Sequence, residues 1–314
     1  MAKPRELRRR IKSVESTRKI TRTMEMVSTS KLKRAQERVV AARPYAQALW
    51  AVIADLLSPE LALRFPLLRR PAPPDKGGPR RAAVLVITSN RGLAGAFNTN
   101  LIRAARERDA ELREAGYEVD LLVVGKKAAN YFRFVRRATA LVRTDIGDRP
   151  TAAHAHELAG PLIADYAAGR LASVDIVFAH FKSALVTPPQ VLRVLPVEAD
   201  ARAHGRTDAP AHGGVPTEAH GDAQPRRAPS YLIRPDADAL VGALLPLYVQ
   251  NQVYRALVET AASEHGARRA AMKNATDSAG DMLDALTRSY NRARQGQITQ
   301  ELSEIVGGAE ALKG

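Results

Sequence analysis

Three histidines, His204, His212 and His220, recur every eight residues, and imidazoles in that number could hold a transition metal. They lie in a stretch from Asp200 to Ser230 that is rich in Ala, Gly, Pro and His and almost free of large apolar residues. Such a segment cannot offset the entropy of ordering, so nothing fixes the geometry of the rings, and compositional accident is the better reading. His154 and His156 stand two apart on a helical pattern and so point to different faces. His265, beside Glu264 in a long helical stretch, is expected to face solvent. SNRGLAGAFN at 89–98 follows a strand-like run and opens a helical one, which is where a phosphate-binding loop would lie. Its glycines, Gly92 and Gly95, match neither GxGxxG nor GxxxxGK[ST], and the next strand-like run ends in Gly125 and Lys126 rather than in an acidic residue. Gly125-Lys126-Lys127 lacks the upstream glycine of a Walker A sequence. The loop therefore reads as a glycine turn in a Rossmann-like domain that binds no nucleotide. No HExxH pattern and no supported triad is present, so no catalytic, cofactor-binding or metal residue is assigned.

The C-terminal stretch RARQGQITQEL, 292–302, is chemically odd in another way. A solvated helix is expected to carry Glu and Lys four apart, whereas here amides and hydroxyls dominate. Such a surface suits changeable contacts better than fixed ion pairs.

Long helices must position that stretch. Residues 4–57 read as one helix, or as two nearly collinear ones. The stripe runs Leu7, Ile11, Val14, Arg18 (the one charged position), Thr21, Met24, Ser28, Leu32, Ala35, Val39, Ala42, Ala46, Leu49, Ile53 and Leu56, in steps of three and four. Pro44 should kink this helix rather than end it, because the period resumes at once. At 1.5 Å per residue it spans roughly 80 Å, and the closing helix, which starts near Asp236 or Asp238, about 110 Å. The stripe of the closing helix is mostly Ala between Ala261 and Ala279, which lets two backbones approach closely.

Between the helices lies a different grammar. Residues 82–88, 119–125, 174–181 and 190–196 are strand-like, with a shorter candidate at 139–142. Helical patterns cover 99–115, 126–135 and 151–168. Continuous apolar runs alternating with helices imply a compact α/β domain with a mainly parallel sheet. The expected fold is α/β: a long antiparallel coiled coil of N- and C-terminal helices plus an inserted Rossmann-like domain. Its parts are a helix at 1–58, a Pro- and Gly-rich linker at 59–81, the α/β domain at 82–197, a flexible insert at 198–230 and a helix at 231–314.

Net charge is +15. Residues 1–50 alone hold fourteen Lys or Arg against four Glu, so most of the excess sits on one segment. Nucleic acid, an anionic membrane surface, an acidic protein surface and plain solvent are all possible neighbours for it. Cysteine is absent, which removes disulfides, thiolate sites and thiol switches. No apolar run reaches membrane-spanning length and the N-terminus lacks an apolar signal core, so a soluble, cytosol-facing protein is expected.

Three segments carry a family resemblance. RRRIKSVESTRKITRTMEMVSTSKLKRAQ (8–36), ITSNRGLAGAFNTNL (87–101) and the run from ASEHGARRAAMKNATD to QGQITQELSEIVGGAEAL (262–312) resemble the gamma subunit of the proton-translocating ATP synthase, in order and spacing over nearly the full length. The resemblance implies a rotor subunit without catalytic residues of its own and without a cofactor, turning inside a hexamer of alpha and beta subunits. Its α/β foot would contact the epsilon subunit and the ring of c subunits. The implied location is the cytoplasmic face of the bacterial inner membrane, with the membrane reached only through the complex and no nucleic acid bound. Carried over residue by residue, Lys19, Arg22 and Met24, together with Arg294, Gln295, Thr299 and Glu301, would meet the beta subunits. Tyr231 and Arg234 would lie at the c-ring contact, where many members carry an acidic residue in place of Arg234.

Two other classes compete with this reading. A basic coiled-coil nucleic-acid binder is suggested by charge alone, but the basic segment lacks the aromatic residues on which single strands stack. A nucleotide-dependent enzyme built on the α/β domain would require nucleotide binding by residues 82–197.

Overall fold

Strand β1, Arg80–Ile87, is apolar without interruption from Ala82 onward, and every residue from Ala82 to Ile87 is buried. Alternate side chains serve opposite faces of the sheet. Ala83, Leu85 and Ile87 enter one core, whereas Ala82, Val84 and Val86 enter another, as the two-residue period of a strand requires. The computed structural model describes residues 4–56, 64–69, 80–197 and 237–311. The remaining elements, in chain order, are α1 (Pro4–Leu56), α2 (Phe97–Glu114), β2 (Tyr117–Val124), α3 (Lys126–Phe134), β3 (Leu141–Arg143), α4 (Ala152–Ala167), β4 (Ser173–Ala179), β5 (Pro189–Leu195) and α5 (Ala237–Ala311).

The five strands are ordered β3-β2-β1-β4-β5. The first three pairings are parallel and the β4–β5 pairing is antiparallel, so the expected mainly parallel sheet is present. Parallel neighbours need long crossovers, and α2, α3 and α4 supply them. One face is covered by Ala105 and Leu112 of α2 and by Ala128, Ala129 and Phe132 of α3. The other face meets Leu158, Ala159 and Leu162 of α4, Leu49 and Ile53 of α1, and Val241, Leu245, Val249 and Val253 of α5. Helix α4 is capped as its sequence allows: the His154 backbone N–H donates to the Thr151 hydroxyl at 3.4 Å, and the Thr151 N–H donates to His154 Nδ1 at 3.2 Å.

The chain divides into two compact units. One comprises residues 1–31 with 268–314, and the other comprises residues 32–267. Both long helices contribute to each unit, since α1 holds 53 residues and α5 holds 75. In the larger unit α1 and α5 run antiparallel, with Leu32, Ala35 and Val39 in one cluster with Val258 and Ala262. Pro44 and Pro246 lie inside helices that continue past them.

Two details depart from expectation. His265 is not solvent-facing. It is 2% exposed, with Nε2 4.0 Å from an Asp148 carboxylate oxygen. This stretch of α5 packs within the α/β unit, so a position beside Glu264 that looked peripheral is enclosed. Within the proline-rich stretch 59–81, Leu67 is buried in the main core with Phe65 and Leu68 packed around it, and its carbonyl accepts from the Val197 N–H at 2.9 Å. The insert 198–230, with its three histidines, lies outside the described residues.

Candidate functional site

The C-terminal ends of β1, β2 and β3 open onto a cavity of about 590 Å3, lined by residues including Asn90, Arg91, Lys126, Arg149, His154 and Glu264. Ligands of open parallel sheets bind at this end. A phosphate there would need the free N–H groups at the start of α3. Those donors are already engaged inside the chain: Lys126 N donates to Asn90 Oδ1 at 2.9 Å, Lys127 N to the Ser89 carbonyl at 3.2 Å, and Ala128 N to the Thr88 hydroxyl at 3.2 Å. Asn90 is itself held by its amide, which donates to the carbonyls of Thr144 and Ile146 at 3.0 Å each. Gly125 sits at φ +102°, and a Cβ there would run into the Thr88 carbonyl, so this glycine serves close backbone approach. The glycine loop is folded on itself in a similar way. Asn98 Oδ1 accepts from both the N–H and the hydroxyl of Ser89, at 3.1 and 3.0 Å, while Leu93 and Gly95 take positive φ.

The smaller unit presents a different arrangement. The Thr276 hydroxyl lies 2.8 Å from the Thr21 hydroxyl on the facing helix, and a Cβ at Gly280 would stand 3.9 Å from the Arg18 guanidinium. Residue numbers rise on one helix as they fall on the other, so the pair is antiparallel. The enclosed positions are small or polar for the most part: Thr21, Ser28, Arg268 and Ala279, joined by Leu7 and Met272. Extending the Thr21–Thr276 register one for one brings Pro4, where α1 begins, opposite Ala293. From 294 to 309 every residue is exposed, although the helix continues to Ala311.

Lys19 and Arg22 are exposed and Met24 is half-buried. Lys19 Nζ pairs with Glu15 at 3.0 Å, and the Lys19 carbonyl accepts from the Thr23 hydroxyl at 2.9 Å. Arg294, Gln295, Thr299 and Glu301 are all exposed on α5. Thr299 donates to the Gln295 carbonyl at 3.0 Å, and the Gln297 amide donates to Glu301 at 2.8 Å. The two groups are not brought together. By the helix register they lie roughly 25–40 Å apart along the unit, so they form two patches. Tyr231 and Arg234 lie outside the described residues.

The second patch also has an apolar half, which the candidate contact residues leave out although its period is visible in the sequence. Ile298, Leu302, Ile305 and Val306 are 48–68% exposed and recur with helical spacing along one face. Ile20, Met26 and Val27 are similarly exposed beside the first patch. The signal that finds them is a helical apolar period running on past the last position that the described part of α1 faces.

A family model for ATP synthase matches residues 3–312. The ATP synthase gamma chain of Gemmatimonas aurantiaca is 54% identical over 315 residues, covering all of both chains. That of Leptospira biflexa is 41% identical over 312 residues, covering 99% of this chain and all of its own. The chain belongs to the ATP synthase gamma-chain family. The family match spans both long helices and the sheet between them, and it includes every residue of the two patches. Solved structures share the fold at lower identity. A chain of the Euglena gracilis mitochondrial ATP synthase, 21% identical, aligns over 98% of this chain and 94% of its own with a TM-score of 0.61. A chain of the Tetrahymena thermophila mitochondrial ATP synthase central stalk and c-ring, also 21% identical, aligns over 82% and 99% with a TM-score of 0.55. Among the described residues no helix is long and apolar enough to cross a membrane.

Proposed function

We propose that the chain is the central rotor of an ATP synthase, turning within a ring of alpha and beta subunits and seated on a ring of c subunits beside an epsilon subunit. The observation that carries this reading is α5 beyond Ala293. It remains helical while every residue from 294 to 309 is exposed, and its apolar stripe faces no partner helix among the described residues. A helix in that state needs surfaces from other chains along its length. Membership of the gamma-chain family names the complex that supplies them.

In this role the chain performs no bond chemistry of its own. It transmits a coupling free energy as a body whose unlike sides bias successive catalytic sites into different states. Lys19, Arg22 and Met24 form the lower contact with beta subunits, and Arg294, Gln295, Thr299 and Glu301 form the upper one, with Ile298 and Leu302 supplying its apolar area. Tyr231 and Arg234 belong to the contact with the c-ring. The complex lies on the cytoplasmic face of the inner membrane, and the chain reaches the membrane only through it.

Mixing the chain with alpha and beta subunits should give a complex that hydrolyses ATP, and failure to assemble would sink the reading. Arg294→Ala and Gln295→Ala should lower proton transport per ATP without altering the fold. Unchanged transport would remove these two residues from the contact.

A further inference from the structure

The α/β unit contains a buried charged cluster that the rotor reading leaves without a purpose. Glu259 on α5 is 1% exposed. One carboxylate oxygen accepts from the Phe181 backbone N–H at 3.1 Å and lies 2.7 Å from His180 Nδ1, and the other accepts from Arg255 Nε at 2.7 Å. The neighbouring Thr260 hydroxyl accepts from the Ala179 N–H at 3.3 Å, and the Ser263 hydroxyl donates to the Ala179 carbonyl at 3.3 Å. Farther along the same face, a Cβ at Gly266 would stand 2.8 Å from the Ala184 carbonyl oxygen, so helix and loop meet at backbone distance. Glu259, Ser263 and Gly266 are spaced i, i+4, i+7 and therefore line one side of α5. That side engages three consecutive residues, Ala179, His180 and Phe181, where β4 ends.

Holding a helix against a sheet does not require this chemistry. Apolar side chains of similar volume would do it without the cost of burying a carboxylate. Apolar contact, however, is non-directional, and fixes the rotation of a helix only through the shapes that interlock. Bonds from one helix face to both the N–H and the carbonyl of a single strand residue add a directional restraint, and a low-dielectric setting strengthens them.

We infer that Glu259, Thr260, Ser263 and Gly266 form a torsional key locking α5 to the end of β4, with Glu259 as the positioning residue that lets torque pass between the sheet and the helix. The inference rests on the rotor reading above, since only a turning part needs resistance to twist. Burial alone would push the Glu259 carboxyl up, but the hydrogen bond from His180 and the charge and hydrogen bond of Arg255 outweigh it and hold the carboxyl below its ordinary range. The key is therefore charged in the folded chain at neutral pH.

The test uses the assembled enzyme in inverted membrane vesicles, with ATP hydrolysis and ATP-driven proton uptake measured on the same preparation. Glu259→Ala should keep hydrolysis while protons taken up per ATP fall about five-fold, the low end of ordinary coupling energies. Glu259→Gln, which retains an acceptor for the Phe181 N–H, should fall less. A change that only destabilised the chain would lower hydrolysis and uptake in proportion, and that result overturns the inference, as does an unchanged ratio. If Glu259→Ala does not assemble, Thr260→Val and Ser263→Ala decide: a reduced ratio supports the key and an unchanged one removes it. A wild-type chain that failed to assemble would overturn the rotor reading and this inference together. A coupled wild type beside an equally coupled Glu259→Ala overturns this inference alone.

Discussion

Around the sheet the enclosed side chains include Leu85, Ile176, Phe178 and Leu195, each 0–1% exposed, whereas the two-helix unit encloses Thr21, Ser28, Arg268 and Ala279 beside Leu7 and Met272. The first set gains the full return of apolar burial and close packing. The second gains little area per residue but lets two backbones approach and ties them with a hydroxyl pair. One unit is built to hold its shape unaided. The other is built thin, with its remaining apolar area, at Ile20, Val27, Ile298 and Leu302, turned outward. The same pair of helices thus obeys two packing rules, and the change falls where α1 and α5 leave the sheet unit near Lys31 and Arg268.

The contrast predicts a graded series of effects. Leu85→Ala, in a closed core, should cost about 2–5 kcal/mol in urea or thermal unfolding. A cost under about 1 kcal/mol there would mean that the two units pack alike. Gly266→Ala should cost about 1–3 kcal/mol, because the added methyl meets a backbone carbonyl that cannot move freely. The acid response should also be local. The folded Glu259 carboxyl binds its proton less readily than the unfolded chain does, so its contribution is complete above the ordinary value of about pH 4.5 and is lost as pH falls through the lower folded value. The urea midpoints of the wild type and Glu259→Gln should therefore converge in acid, and a gap that widened there would reverse the assignment. Smallest of all, Thr21→Val should change unfolding by less than about 1 kcal/mol, because the Thr276 hydroxyl retains the Met272 carbonyl, 2.8 Å away, as acceptor.

Much of this was legible in the residues, for identifiable reasons. A strand buried on both faces must be apolar at consecutive positions, and 82–87, 121–124 and 176–179 are, so the parallel sheet was readable directly. The α1 stripe was readable because burial follows the period: Leu7, Thr21, Ser28, Leu32, Ala35, Val39, Leu49 and Ile53 are all enclosed. His265 was not readable, since periodicity shows which helix positions share a face but not which neighbour covers that face. Leu67 was hidden for a related reason: prolines on either side mark a break in regular structure, and a break can still place one leucine in a core. The outward stripe Ile298–Val306 shows the converse, a helical period that meets no partner among the described residues.

The hydroxyls of the two-helix unit have one more consequence. Thr17, Thr23, Thr29, Thr287, Ser289 and Thr299 all donate to the carbonyl four residues back in their own helix, at 2.8–3.1 Å. One N–H of each of the Gln297 and Gln300 amides is likewise donated to Glu301 and Glu304. Hydroxyls already bonded at home offer a passing surface methyls and methylenes in place of open donors. At these positions the shaft shows a neighbouring surface fewer open donors than its count of hydroxyls and amides would suggest.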